Sequence, residues 1–144
     1  MNLEARADAA TRLLAYWNER PLDYAKGDHC VAMARVAFMS MGAADPLPIW
    51  ARSVKSEKSA LRALARLGDI REHLDPLAER IHPLNAVAMD VVLLPSDGAM
   101  PALAVAMGSG DALAFVPIAG LRPMALLGKP LTQALCAWRT PEVP

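Results

Sequence analysis

Between Val31 and Met41 only Arg35 and Ser40 are polar. A helix that is apolar all round has no face to give to water, so it must lie at the centre of a fold. The run is too short to cross a bilayer. The rest of the chain therefore has to supply layers of secondary structure around it. Gly42 follows as a left-handed stop. Asp28 precedes it as a natural N-cap, its carboxylate able to accept from the free amides of the first turn. Just inside that start stands Cys30. The positive end of a helix dipole favours thiolate, which is one way to make a cysteine nucleophile.

The flanking sequence reads as those layers. Leu3, Ala7, Ala10, Leu14 and Trp17, widened by Leu13, recur at helical spacing and leave Glu4, Asp8 and Arg12 outward. Residues 42–55, with Asp45-Pro46 and Pro48, read as an irregular loop. Ser56 is placed to cap a further helix with Ala60, Leu61, Leu64 and Leu67 inward, Lys58, Arg62 and Arg66 outward, and Gly68 at its end. Ile70, Leu74, Leu77 and Ile81 fit another helix that Pro76 interrupts. After Pro83 the pattern changes. Asp90–Leu94 and Ala102–Met107 read as strands, and Gly108-Ser109-Gly110-Asp111 as a hairpin turn into Ala112–Val116. Leu135–Arg139 reads as a last strand. Helices first and an antiparallel sheet second predict an α+β fold. The expectation is one domain over residues 1–144, helical to about 82 and sheet from about 84 to 140.

Composition narrows the function classes. A hydrophobic content of 54% excludes a disordered chain. A formal net charge of +0 offers no electrostatic case for nucleic acid or an anionic membrane. Glu4, Arg6, Asp8 and Arg12 leave no apolar signal segment after Met1. The longest uncharged runs, 98–110 and 112–121, are short and broken by Pro and Gly, so no membrane insertion is expected. Cys30 and Cys136 lack the close spacing of zinc ligands, and an intracellular synthesis site favours free thiols over a disulfide. Glu79-x-x-His82 has the spacing of a di-metal half-site but no second motif to complete it. Gly108-Ser109-Gly110 has no following lysine or helix start, so it is a turn and not a phosphate loop. Neither a metal nor a cofactor is expected.

Trp17, then Pro21, Tyr24, Ala25, Gly27, Asp28 and Cys30, then Gly42, Asp45 and Pro46, Asp90 and Val91, Gly108 and Gly110, and finally Trp138 and Arg139 stand in a familiar order. Over about Leu3 to Arg139 the chain resembles the NlpC-type branch of papain-like cysteine peptidases. More narrowly, it is similar to small proteins of that superfold encoded among the tail genes of long-tailed bacteriophages and prophages. The resemblance implies a papain-like arrangement with Cys30 as the remnant nucleophile and Asp28 as the helix cap. In active members the strand after the Asp-Val strand opens with the catalytic histidine, where this chain has Ala102. Met89 replaces the usual glycine before Asp90. An alanine cannot take a proton from a thiol, so the pair that nucleophilic catalysis needs is missing.

The remaining residues point the same way. Cys30 shares a stripe with Met33, Ala34, Ala37, Phe38 and Met41, where core residues lie, and Asp28 opposes thiolate by like-charge repulsion. Successive helical side chains diverge by about 100°, so His29 reads as a surface or helix-start residue turned away from the thiol. His73 and His82 precede the sheet, where the resembled enzymes hold no catalytic group. Trp17 reads as core. Trp50, in the proline-bearing loop, reads as an exposed anchor for a partner, with Trp138 and Arg139 on a terminal strand as a second. The tail from Pro141 is suited to lie extended on a neighbour. The resemblance thus implies a catalytically silent tail-tip or baseplate component, made in the host bacterial cytoplasm and carried in the virion. It would act through contacts with distal tail, hub or tip proteins. The alternative is an active cysteine peptidase or amidase that cleaves peptidoglycan during phage entry.

Overall fold

The computed structural model describes residues 1–17, 23, 29, 31–96, 102–116 and 124–143. In chain order these form α1 (Leu3–Trp17), α2 (Ala32–Ser40), α3 (Pro48–Ser53), α4 (Glu57–Leu67) and α5 (Ile70–Leu74). The strands follow: β1 (Glu79–Ile81), β2 (Val91–Leu94), β3 (Ala102–Ala106), β4 (Asp111–Val116), β5 (Met124–Pro130) and β6 (Cys136–Arg139). Helices come first and strands second, so the fold is α+β as the patterning predicts. No helix among the described residues is long and apolar enough to cross a membrane.

The helices follow local chemistry with two revisions. Ser56 caps α4 as expected, in a reciprocal box: Ser59 N donates to Ser56 Oγ and Ser56 N donates to Ser59 Oγ. Gly42 and Gly68 take the positive φ expected of helix stops. The cap of α2, however, is Val31, which offers no side-chain acceptor. Asp28, the expected cap, lies outside the described residues. The predicted inner stripe of α1 is also displaced. Leu3 is exposed, and the buried face runs through Arg6, Ala9, Ala10, Leu13 and Trp17. A buried arginine cannot be anticipated from apolar periodicity, because it needs partners from distant sequence.

Two elements escape the hydrophobic pattern. Residues 42–55 contain α3, which Pro48 opens from its first turn. The helix predicted through Ile81 stops at Leu74 before Pro76, and Glu79–Ile81 turns instead into an edge strand. The six strands form one sheet in the order β1-β6-β2-β3-β4-β5, with every pairing antiparallel. Leu135–Arg139 is thus not a terminal strand in space. β6 lies between β1 and β2.

Register sorts the side chains onto two unlike faces. Across one face run Trp138, Val91, Val105 and Leu113, with Leu93, Leu103, Phe115 and Cys136. This large-residue face packs against the helices in the main core, and α2 contacts β3 and β2. Phe115 meets the Trp17 ring edge-on at 5.5 Å. Across the opposite face run Ile81, Ala137, Val92, Ala104 and Ala114, joined by Ala106 and Ala112. Among the described residues no α-helix contributes to that second cluster. Leu131, Ala86 and Ala134, from the 3-10 turns Pro83–Asn85 and Leu131–Gln133 and their ends, close over it, and the two turns touch. Small side chains let this connecting chain lie close to the sheet while Val92, Ala104, Ala106 and Ala112 stay fully buried.

Ala104 has no room to grow. Ala104→Leu is expected to destabilise the fold by about 1–3 kcal/mol, whereas Ala65→Leu on the exposed side of α4 should fall within about 0.5 kcal/mol of the parent. Urea unfolding midpoints at constant m-value check both.

Candidate functional site

By the resemblance, a site would be built from the start of α2 and the head of β3; α2 contacts β3 and β2. α2 buries Ala32, Met33, Ala34, Ala37 and Phe38, so its stripe is core as predicted. Cys30 lies outside the described residues, as do Pro21, Tyr24, Ala25 and Gly27. Ala102, which stands where the resembled enzymes carry their histidine, is the first residue of β3, half-buried and paired with Leu94.

The imidazoles are committed elsewhere. His73 Nε2 lies 2.7 Å from the Leu67 carbonyl oxygen, to which it donates. His82 Nδ1 accepts from Leu84 N at 3.1 Å and caps a 3-10 turn. Since Glu79–Ile81 is a strand, Glu79 and His82 do not share a helix face. Among the described residues no group of three or more His, Cys, Asp or Glu side chains could hold a metal ion. His29 is buried rather than at the surface, its ring 6.2 Å from that of Trp50.

All three interface candidates turn inward. Trp50 is not an exposed anchor: α3 carries it into the main core, fully buried. Its Nε1 has no acceptor among the described residues. Trp138 is also fully buried, on the large-residue face between neighbouring strands. Its Nε1 donates to Asp75 Oδ1 at 2.8 Å, and the Arg80 guanidinium lies over its ring at 5.7 Å. Arg80 closes the group with a two-pronged pair to Asp75. The Trp138 indole and then Arg80 hold the Asp75 carboxyl below its usual range. Nearby, a hydrogen bond to Cys136 and then the charge of Asp69 raise the Arg71 guanidinium. Cys136 is a buried free thiol.

Arg139, a quarter exposed, is spent within the chain. Its Nε pairs with Asp90 Oδ2 at 3.1 Å, Nη2 donates to the Asn85 carbonyl and Nη1 reaches Met1 Sδ. Asp90 is the centre of a buried polar cluster that apolar patterning gave no hint of. Arg6 Nη1 meets Asp90 Oδ1 at 2.8 Å and the Ala88 carbonyl at 3.1 Å. Arg6 also donates to the Thr140 carbonyl through Nη2 and to Glu142 through Nε. Asp90 accepts further from Val87 N and Thr140 N. Arg6 and then the Asn2 amide hold the Glu142 carboxyl below its usual range. The tail expected on a neighbour therefore docks on its own body, with Val143 N bonded to the Met41 carbonyl.

The same cluster explains the position of Met89. Its φ is +72°, the left-handed region that a glycine occupies without strain. Met89 holds it because its side chain is fully buried and its carbonyl accepts from Thr140 Oγ1 at 2.6 Å. A separate ion pair, Arg35 Nε to Asp45 Oδ2 at 2.8 Å, ties α2 to the loop after it. Asp45 Oδ1 also accepts from Leu47 N. The Asp-Pro signal locates that loop, but the partner of Asp45 is not readable from it.

Residues 1–140 match the model of a family described as Domain of unknown function (DUF6950). No curated protein matches the chain, and no solved structure matches it.

Two measurements probe the cluster. Arg6→Ala takes from the buried Asp90 its fully buried cation and leaves only the partly exposed Arg139 to answer it, and a stability loss of about 3 kcal/mol is expected. Equal stability in chemical denaturation would show that the cluster does not hold α1 to the sheet. At Met89 the usual order of substitutions should invert, with Met89→Gly more stable than Met89→Ala by about 1 kcal/mol. Thermal melts of the two variants give the comparison directly.

Proposed function

The chain belongs to the DUF6950 family, and we propose that it is a structural component of a phage or prophage tail tip or baseplate. In this reading it is a catalytically silent relative of NlpC-type peptidases that acts through contacts with distal tail, hub or tip proteins. It is made in the host bacterial cytoplasm and carried in the virion.

The observation that carries the reading is Ala102 at the head of β3. The methyl group there can neither accept a proton from a thiol nor return one to a leaving amine, the two steps that acyl transfer through cysteine requires. His73 and His82 are engaged with backbone groups away from the head of β3 in sequence, and His29 packs against Trp50. The order of elements supports the same relationship: a buried helix after the Gly-Asp-x-Cys step, packed on the strands that Asp90 and Ala102 introduce. A scaffold that keeps its packing without its base retains value as a shape, and shape alone does not name a partner.

Purified particles from the strain that encodes the chain should contain it in stoichiometric amounts by quantitative mass spectrometry. Its absence from mature tails would defeat the proposal. Digestion of peptidoglycan by the wild type and by Cys30→Ala should be equal and negligible. Turnover that vanishes in Cys30→Ala would replace this reading with that of an active hydrolase.

A further inference from the structure

We propose that the outer face of α4 is a docking surface for an acidic segment of a partner protein. The face is built at helical spacing. Lys58, Arg62 and Arg66 stand at i, i+4 and i+8, and all are exposed. At about 100° per residue they fall within an arc of about 80°, and at about 1.5 Å per residue they span about 12 Å. Lys55 adds a fourth cation at the entry to the helix. The buried side chains Ala60 and Ala63 lie on the opposite side, so the helix is held by its other face.

The fold does not use these cations. Arg6, Arg35, Arg71, Arg80 and Arg139 each pair with a carboxylate. No described residue forms an ion pair with Lys55, Lys58, Arg62 or Arg66. Their one acidic neighbour on the helix, Glu57, points about 100° away from Lys58. Leu61, 41% exposed, and exposed Ala65 run alongside the basic arc. An apolar strip bordered by guanidinium groups is the composition favoured at protein contacts, where arginine binds carboxylates in two-pronged fashion.

Charge balance selects a protein over other anions. The chain holds 15 cations and 15 anions. Residues 55–66 take four of the cations and one anion, which leaves 11 cations against 14 anions elsewhere. The positive field is therefore local. A long polyanion such as DNA, or an extended anionic bilayer, would also face the net negative remainder, and both need a broader basic surface to bind well. A short acidic helix or strip matches the arc alone.

The test places a photoreactive benzoylphenylalanine at Leu61 in the full chain, irradiates the cells that make it and maps the crosslink by mass spectrometry. The expected product joins α4 to a protein segment with an excess of Asp and Glu. In Arg62→Glu/Arg66→Glu it should fall about tenfold or more, while Arg12→Glu on α1 leaves it unchanged. Circular dichroism and melting temperature check that the double variant is folded, and Arg62→Gln/Arg66→Gln replaces it if not. A crosslink to a neutral or basic segment, to nucleic acid or to lipid, one insensitive to the charge changes, or none at all would each overturn the proposal. The readout is taken in the producing cell, so it does not depend on whether the chain is found in particles.

Discussion

The Arg6–Asp90 pair is the contact on which the arrangement of layers depends. Arg6 and Asp90 are 84 residues apart in sequence, yet α1 sends its guanidinium to the carboxylate at the start of β2. Burying two charges is costly, and the mutual attraction offsets that cost only when the remaining donors and acceptors are also met. Here they are met by the Ala88 and Thr140 carbonyls, the Val87 and Thr140 amides, Arg139 and Glu142. Each of those groups must be in place for the others to be satisfied. The cluster therefore fixes the entry to β2, the exit from β6 and the angle of α1 together. Such a network selects one arrangement more than it deepens the energy of that arrangement.

With α1 fixed there, the unlike faces of the sheet set the rest. Trp138, Leu103, Leu113 and Phe115 give the helical side bulk to pack against, and α2 fills the space beside β3. The alanine side admits only connecting chain. A helix there would need larger partners or a wider gap. Among the described residues, connecting chain alone covers that side, so the helices can all serve the other. This answers the demand of the apolar α2 for complete enclosure with few residues.

The sequence was informative where local chemistry decides and silent where distant groups meet. Ser56, Gly42, Gly68 and the Gly108–Gly110 hairpin are legible because caps and turns depend on neighbouring backbone. The fold class follows from the change of pattern after Pro83. β1 is not legible, since Glu79-Arg80-Ile81 forms a strand only by pairing with β6. α3 is hidden because two prolines suggest a loop, although one of them opens the helix. Trp50 and Trp138 mislead for the same reason: the indole suits an interface and a core equally, and only topology chooses. Met89 departs from the glycine of the resembled pattern, and only the backbone angle shows that the left-handed conformation is kept without glycine.

The internal economy of charge bears on how such a molecule can act. Nearly every arginine that the fold buries or half-buries is answered by a carboxylate or a carbonyl, and the indole of Trp138 is answered by Asp75. Groups satisfied in this way are poor candidates for chemistry, because freeing one would leave its partner unpaired at a cost comparable to a sizeable share of a small domain's stability. At the head of β3 stands Ala102, whose methyl group can neither give nor take a proton. Unanswered charge instead lies on the outside of α4, on a helix whose own cap is complete and whose inner face is packed. The proposed docking face on α4 thus draws on charge that the described fold leaves unpaired.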